Sequence, residues 1–211
     1  SFNGIKARDW YKKIRHITFS IKRDIAIKGI IFTEFIELVE TAFGFEVANA
    51  LLDGCDLPSG GAYTSVGTYD HLEILSLVGQ LQKLTGTPAS DLLEAYGKYL
   101  FPKLANQMTA MSLNFDGTID LLCSLESIIH KEVLKLYPDA ELPSFDIDKI
   151  SDTEILVEYR SCRPFAHLAK GLIDGCGDFY KQNITVSMTH INTDTDFHTL
   201  IFVKQTWVKI T

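Results

Sequence analysis

The spacing of apolar residues changes period once along the chain, and this change constrains the fold more than any other feature. Up to about residue 137, apolar side chains recur every three or four positions, as on one face of an α-helix. After the Leu142-Pro143 turn they alternate instead, as on a strand with one buried face. The sequence therefore predicts an α+β fold: a helical lobe, followed by a lobe with an antiparallel sheet and crossing helices.

Glycine and proline residues divide the two parts into elements. Gly44 closes the first helical pattern and Pro88 opens the fourth. Gly97 lies inside that fourth helix, where glycine costs about 1 kcal/mol relative to alanine, so we predict a packing or hinge role for it. The predicted helices cover about residues 29–43, 46–53, 71–84, 90–99, 118–136 and 165–180, and the predicted strands cover about 155–163, 184–190 and 199–207.

Charge is distributed unevenly along the chain. The net charge is −7, yet residues 1–26 contain seven Lys or Arg against two Asp, a local charge of +5. Residues 27–211 therefore carry −12. An acidic body repels phosphate, so we do not expect it to bind nucleic acid.

The basic segment 1–26 has the pattern of an amphipathic helix. Such a helix would dock on a membrane surface or a partner, or pack on the body; alternatively, the segment is upstream sequence appended to the domain. We take residues 1–26 as an extension and residues 27–211 as the domain. The apolar residues spaced by three and four are Trp10, Ile14, Ile17, Ile21 and Ile25.

Other signals narrow the class of protein. No apolar run reaches the ~18 residues of a membrane span and no leader resembles a signal peptide, so we expect a cytoplasmic protein without membrane attachment. The four cysteines are scattered, and no Cys-x-x-Cys-His sequence for covalent haem attachment is present. Nucleotide-binding glycine loops and a Gly-x-Ser-x-Gly elbow are also missing, so we do not expect an enzyme.

Three polar residues follow two apolar ones on the same side of a predicted strand. Tyr159, Ser161 and Arg163 are two apart, so they would present a phenol, a hydroxyl and a guanidinium in one row. All three can donate hydrogen bonds, and arginine can bind a carboxylate in a bidentate manner. The row predicts a clamp for an anionic group on an apolar ligand. The alternative is that Arg163 forms a salt bridge and the hydroxyls contact water.

One histidine lies in an apolar helical context. His130 has leucine, isoleucine and valine neighbours at helical spacing, so its ring nitrogens need a partner. It is either a core histidine with a hydrogen-bond partner or an axial ligand, because neutral imidazole suits iron. The other histidines are weaker candidates. Four of them lie in polar contexts that predict exposure: His16, His71, His190 and His198. The fifth, His167, lies early in a predicted helix.

Together, these two features resemble the H-NOX (haem nitric oxide/oxygen binding) family, in which a proximal histidine on a helix precedes a Tyr-x-Ser-x-Arg motif. Here the motifs read Ile129-His130-Lys131 and Tyr159-Arg160-Ser161-Cys162-Arg163. The opening Lys28-Gly29-Ile30-Ile31 is similar to the family's opening as well. The resemblance covers residues 27–211 in the same order, whereas residues 1–26 have no counterpart.

The resemblance implies non-covalent haem b between a helical distal lobe and a proximal α/β lobe. His130 would be the axial ligand of the iron, and Tyr159, Ser161 and Arg163 would bind the propionates. Further matching positions are Pro143, which would press on the porphyrin, Ile31, which would touch the ring on its distal side, and Gly97, a hinge between the lobes.

The resemblance also bears on the choice of gas. Oxygen-binding relatives carry a distal tyrosine supported by Trp and Asn, because bound O2 has anionic character and needs a hydrogen-bond donor. The matching positions here are Leu168, Phe35 and Leu100, and none of these side chains can donate. We therefore expect binding of NO and CO without stable binding of O2.

The implied function is a haem-based gas sensor. NO would bind ferrous iron, His130 would release, strain against Pro143 would relax, and the lobes would rotate. Because the sequence has no output domain, we expect the signal to pass to a separate protein, in bacteria a histidine kinase or a cyclic-di-GMP enzyme. The alternatives are an interaction module that binds no haem, with His130 in its core, and a peroxidase-like enzyme, which would need a distal acid–base pair.

Overall fold

The computed structural model describes residues 26–110, 113–136, 138, 140–191 and 196–206. The predicted amphipathic extension, apart from its last residue, and the final residue of the predicted strand 199–207 lie outside these ranges. No helix in the described ranges is both long enough and apolar enough to cross a bilayer. The helices are α1 (Ile30–Phe43), α2 (Phe45–Asp53), α3 (His71–Thr85), α4 (Ala89–Ala110), α5 (Thr118–Cys123), a π-helix (Leu125–Ile129), α6 (His130–Leu136) and α7 (Ala166–Phe179).

The strands form two antiparallel sheets. A short pair near the start of the described chain joins β1 (Ala26–Lys28) to β2 (Thr68–Asp70), and the larger sheet has the order β3-β4-β6-β5. This mixture of helices and antiparallel sheet confirms the predicted α+β class. The strands of the larger sheet are β3 (Ser144–Lys149), β4 (Glu154–Ser161), β5 (Asn183–Ile191) and β6 (Phe197–Thr206).

Two apolar cores fill the molecule. The first lies among α1 to α4, and the second lies between the larger sheet and the helices that cover it. Both α4 and α7 contribute to both cores: on α4, Leu100 belongs to the first and Phe101 to the second, and on α7, Leu168 and Ala169 divide in the same way. These two helices therefore connect the helical lobe to the sheet lobe.

Glycines allow α4 and α7 to approach each other backbone to backbone. A Cβ on Gly97 would lie 2.4 Å from the carbonyl oxygen of Leu168, and a Cβ on Gly171 would lie 2.1 Å from that of Glu94. Real Cβ atoms do not approach backbone oxygens so closely, so both positions require glycine. Gly97 thus has a packing role at the contact between the lobes, which was one of the two roles predicted for it.

Several boundaries differ from the predictions. The patterns do not predict β1, β2 or β3, because three to six residues are too few to establish a period. The predicted helix 118–136 is interrupted at Ser124 and continues as the π-helix, whose wider turn leaves the apolar spacing almost unchanged. The predicted strand 155–163 ends at Ser161, so Arg163 follows the strand instead of belonging to it.

Candidate functional site

His130 stands where two kinds of helix meet. It is the first residue of α6 and follows the π-helix directly, and π-helices are frequent at functional sites. Its side chain is 13% exposed, and its ring lies 5.6 Å from the ring of Phe145 on β3. Nδ1 lies 3.3 Å from Oε1 of Glu126, so Nε2, on the opposite side of the ring, is the nitrogen suited to a metal.

The Tyr-x-Ser-x-Arg residues remain together although the strand ends before the last of them. Tyr159 and Ser161 lie on the buried face of β4, and the backbone N–H of Arg163 donates to Ser161 Oγ at 3.1 Å. All three residues are buried. Burial raises the pKa of Tyr159 to about 12, so its phenol stays protonated and can donate.

Arg163 reaches back to the turn before β3. Its Nη1 donates to the carbonyl oxygen of Glu141 at 2.7 Å, and Nη2 lies 3.6 Å from a carboxylate oxygen of the same residue. Glu141 is two residues before the half-buried Pro143, so the guanidinium also anchors the segment that carries this proline. A salt bridge of Arg163 was the predicted alternative to an anion clamp, and the structure has this salt bridge, with Glu141.

Phe145 connects His130 to the motif on β4. It is paired in register with Tyr159, and their rings lie 5.4 Å apart at 61°. Three rings therefore form a row from His130 through Phe145 to Tyr159. Sequence reasoning missed Phe145; its alternation with Ile147 between acidic residues was the available signal.

His130, Tyr159, Ser161 and Arg163, called the proximal set here, have side chains that fit haem. Neutral imidazole is a good ligand for iron, and the phenol, hydroxyl and guanidinium supply donors for carboxylates such as propionates. The donors stand at the edge of a buried apolar face, as an apolar ring with anionic arms requires. These side chains therefore offer one imidazole for iron and three donors for propionates.

The positions that the resemblance assigns to the other side of the ring, Ile31, Phe35, Leu100 and Leu168, are called the distal set. Phe35, Leu100 and Leu168 belong to the first core, and Ile31 packs against it. Their side chains are entirely apolar, and three of the four are nearly inaccessible to solvent. The structure therefore brings the distal set into one apolar region on α1, α4 and α7.

One buried donor lies beside the distal set. Tyr96 packs edge-on against Phe35, with ring centroids 5.1 Å apart. Its hydroxyl donates to the carbonyl oxygen of Ile31 at 2.5 Å, and burial holds its pKa well above the ordinary value. The single proton of Tyr96 is thus used to tie α4 to the start of α1.

The other described histidines are engaged elsewhere. His71 is 4% exposed, so the expectation that it is exposed is wrong: it begins α3 beneath Asp70, and its Nδ1 lies 3.1 Å from that carboxylate. His167 is 2.7 Å from Glu94 across the contact between α4 and α7. His198 pairs with Glu158, and His190 lies within hydrogen-bond distance of Thr199.

Comparison with known proteins identifies a family. Residues 28–188 match the family model described as Haem-NO-binding. The curated protein soluble guanylate cyclase gcy-35 of Caenorhabditis elegans is 26% identical over 151 residues, which are 69% of this chain. The match spans about a fifth (22%) of that relative's length.

Solved structures agree with this result. The unliganded Fe(II) H-NOX protein from K. algicida matches with a TM-score of 0.81 and 31% identity, over 88% of this chain and 100% of that one. The IWP-051-bound H-NOX from Shewanella woodyi, in its Fe(II)CO ligation state, matches with a TM-score of 0.72 and 38% identity, over 88% and 99% of the two chains.

Proposed function

Because the chain belongs to the Haem-NO-binding family, whose members are haem-based gas sensors, we propose that it senses NO and CO and does not form a stable complex with O2. Its role is that of a sensor domain and not of a catalyst. The observation that carries the sensor assignment is the proximal set: an imidazole, a phenol, a hydroxyl and a guanidinium, with the imidazole and the phenol both against Phe145 at the second apolar core.

His130 would hold the iron of non-covalent haem b through Nε2, and Tyr159, Ser161 and Arg163 would hold the propionates. Arg163 would exchange its long contact with the Glu141 carboxylate, 3.6 Å, for a propionate, while its bond to the Glu141 carbonyl could persist. When bound, haem would supply a ferrous iron that takes a diatomic gas such as NO, CO or O2.

The apolar distal set supports the proposed choice of gas. O2 needs a donor to stabilise its anionic bound form, whereas NO and CO do not depend on one to the same degree. Phe35, Leu100 and Leu168 cannot donate, and Tyr96 already donates to Ile31. The peroxidase-like alternative would need an acid–base pair, which these residues do not provide.

Release of His130 is the proposed switch. His130 begins α6 at its junction with the π-helix, so a change in its position acts on a helix boundary rather than on a helix interior. Pro143 and β3 are tied to the same site through Arg163 and Phe145. The lobes meet at α4 and α7, which are the elements able to transmit a rotation.

We propose that a separate protein reads this state, a histidine kinase or a cyclic-di-GMP enzyme, as the resemblance implies. A cytoplasmic location would follow from such a partner. Residues 27–211 would form the sensor, and β1 already includes Ala26, which pairs with Asp70. Co-purification with a candidate kinase, with and without NO, measures this part of the proposal.

The absorption spectrum of the purified, reduced protein tests the function. We expect five-coordinate ferrous haem whose spectrum changes with NO and with CO and remains that of the unliganded protein in air. A stable spectrum of an O2 complex would overturn the gas preference. The alternative of a haem-free interaction module draws on the ion pair between Arg163 and Glu141, which gives the guanidinium a partner within the chain. A folded protein that takes up no hemin would establish that alternative.

A further inference from the structure

Glu126 contacts both sides of the proximal site with one oxygen atom. It lies in the π-helix, four residues before His130, and its Oε1 is 3.3 Å from the imidazole Nδ1. The same oxygen accepts a hydrogen bond from the backbone N–H of Phe145, with 2.6 Å between nitrogen and oxygen. One carboxylate therefore links the histidine, the π-helix and the start of β3.

The contact involves Nδ1, the ring nitrogen that remains for an outer partner when a histidine binds a metal through Nε2. Histidines that bind metals commonly donate the second ring N–H to a carboxylate or carbonyl, which fixes the tautomer and raises the basicity of the ligating nitrogen. Here the carboxylate faces Nδ1, so the ring would carry its proton on Nδ1 and present Nε2. The Phe145 ring at 5.6 Å and the 13% exposure of the imidazole limit its rotation.

We propose that Glu126 is a positioning residue that sets the strength of the bond between His130 and iron. The inference rests on the proposed function, because it presupposes that His130 is the axial ligand. A carboxylate on Nδ1 gives the imidazole partial anionic character, so it strengthens the bond through Nε2 and raises the threshold for release of His130. Glu126 would thereby set how readily the switch operates.

The exposure of Glu126 limits the size of this effect. Its side chain is 45% exposed, so water screens the interaction with His130. Loss of such an outer partner commonly lowers metal affinity by about 10–100-fold, and we expect the lower end, roughly tenfold, for Glu126→Ala. The hydrogen bond from Phe145 keeps the carboxylate in place despite its exposure.

Resonance Raman spectroscopy of the reduced, haem-loaded full-length protein measures the bond directly. We would compare wild type with Glu126→Gln, which keeps an oxygen acceptor for Phe145 but removes the charge, and with Glu126→Ala, which removes both. Glu132→Gln is the matched control, because Glu132 pairs with Lys135 on α6 and carries the same charge. We expect the iron–histidine stretching frequency to fall in the order wild type, Gln, Ala, with Glu132→Gln equal to wild type.

A purely structural role would give a different pattern. If Glu126 only anchors β3, then Glu126→Ala would lower resistance to urea, Glu126→Gln would restore it, and the stretching frequency would be the same in all variants; that result overturns the proposal. A frequency change of equal size in Glu132→Gln would also overturn it, because the effect would then be one of net charge. A wild-type protein without an iron–histidine band refutes the proposed function itself, and the inference falls with it.

Discussion

The proximal set and the distal set have opposite chemistry although both are buried. The two nitrogen-bearing side chains of the proximal set have partners from other elements: Glu126 for His130, and Glu141 for Arg163. The distal set consists of aliphatic side chains and one aromatic ring, and the nearby hydroxyl of Tyr96 donates to the backbone carbonyl of Ile31. In the proposed function, one set would hold the cofactor, while the other would determine which gas that cofactor retains. The two tasks should be separable by mutation.

Removing the imidazole should have the largest effect on the proximal side. H130G deletes the proposed iron ligand but leaves the donors of β4, so we expect hemin to remain weakly bound while the histidine-ligated ferrous spectrum disappears. Added free imidazole should restore that spectrum, because it can occupy the space vacated by the side chain. The measurement is absorption spectroscopy with and without imidazole. A normal five-coordinate spectrum in H130G would exclude His130 as the ligand.

Removing the guanidinium of Arg163 should have the second-largest effect, a loss of affinity for hemin. Replacing Arg163 with alanine removes a charged donor, and hydrogen bonds to charged groups contribute about 1.5–3 kcal/mol, so hemin binding should weaken by about 2 kcal/mol, roughly 30-fold in Kd. Arg160→Ala is the control, since Arg160 is exposed on the same strand and pairs with Glu158. Hemin titration followed at the Soret band measures both. Equal losses in the two variants would show that the clamp acts only through general charge.

The contact between the lobes can be tested without changing a side chain of either set. G97A would push a methyl group to 2.4 Å from the Leu168 carbonyl oxygen. Overpacking costs about 1–3 kcal/mol, and alanine recovers about 1 kcal/mol of helix propensity, so we expect a net loss of up to about 2 kcal/mol in the free energy of unfolding.

Another helical glycine provides the control for this substitution. Gly79 lies in α3. Apart from the backbone of its own helix, no atom of the described residues lies within 4 Å of the place that a Cβ would take there. G79A should therefore be stabilising by about 0.5–1 kcal/mol. Urea unfolding compares the two variants. If G97A were as stable as G79A, the close approach of α4 and α7 would not be required for folding.

The sequence predicts the apolar distal set better than the polar proximal set. The α+β class, the presence of the helices and the burial of Phe35 are visible in the sequence, because apolar periodicity reports directly which face is buried. Leu100 and Leu168 were identified through the family resemblance, and the predicted helix 90–99 stops short of the end of α4 at Ala110. The proximal partners are not visible, since a polar group's partner can lie anywhere in the chain. Glu126 is at the i,i+4 spacing from His130, yet its bond to Phe145 crosses 19 residues.

The π-helix shows a further limit. A π-helix bonds each carbonyl to the N–H five residues on, one residue farther than in an α-helix. The π-helix here is only five residues long, so the apolar pattern of residues 118–136 does not reveal it. The end of β4 at Ser161 is hidden for a related reason: Arg163 stays buried after the strand ends, so the alternation of buried positions continues beyond the hydrogen-bonded ladder.

The smallest effect, and the one that tests the distal set alone, should come from a single hydroxyl. Leu168→Tyr adds a donor to an otherwise apolar region, and a hydrogen bond of about 1 kcal/mol would raise affinity for O2 roughly fivefold. Leu168→Phe has the same ring without the hydroxyl and should behave like wild type. Rapid mixing of the reduced proteins with O2 measures the difference. Equal O2 binding by the Phe and Tyr variants would attribute gas preference to shape, whereas no O2 binding by either would mean that Leu168 does not face the bound gas.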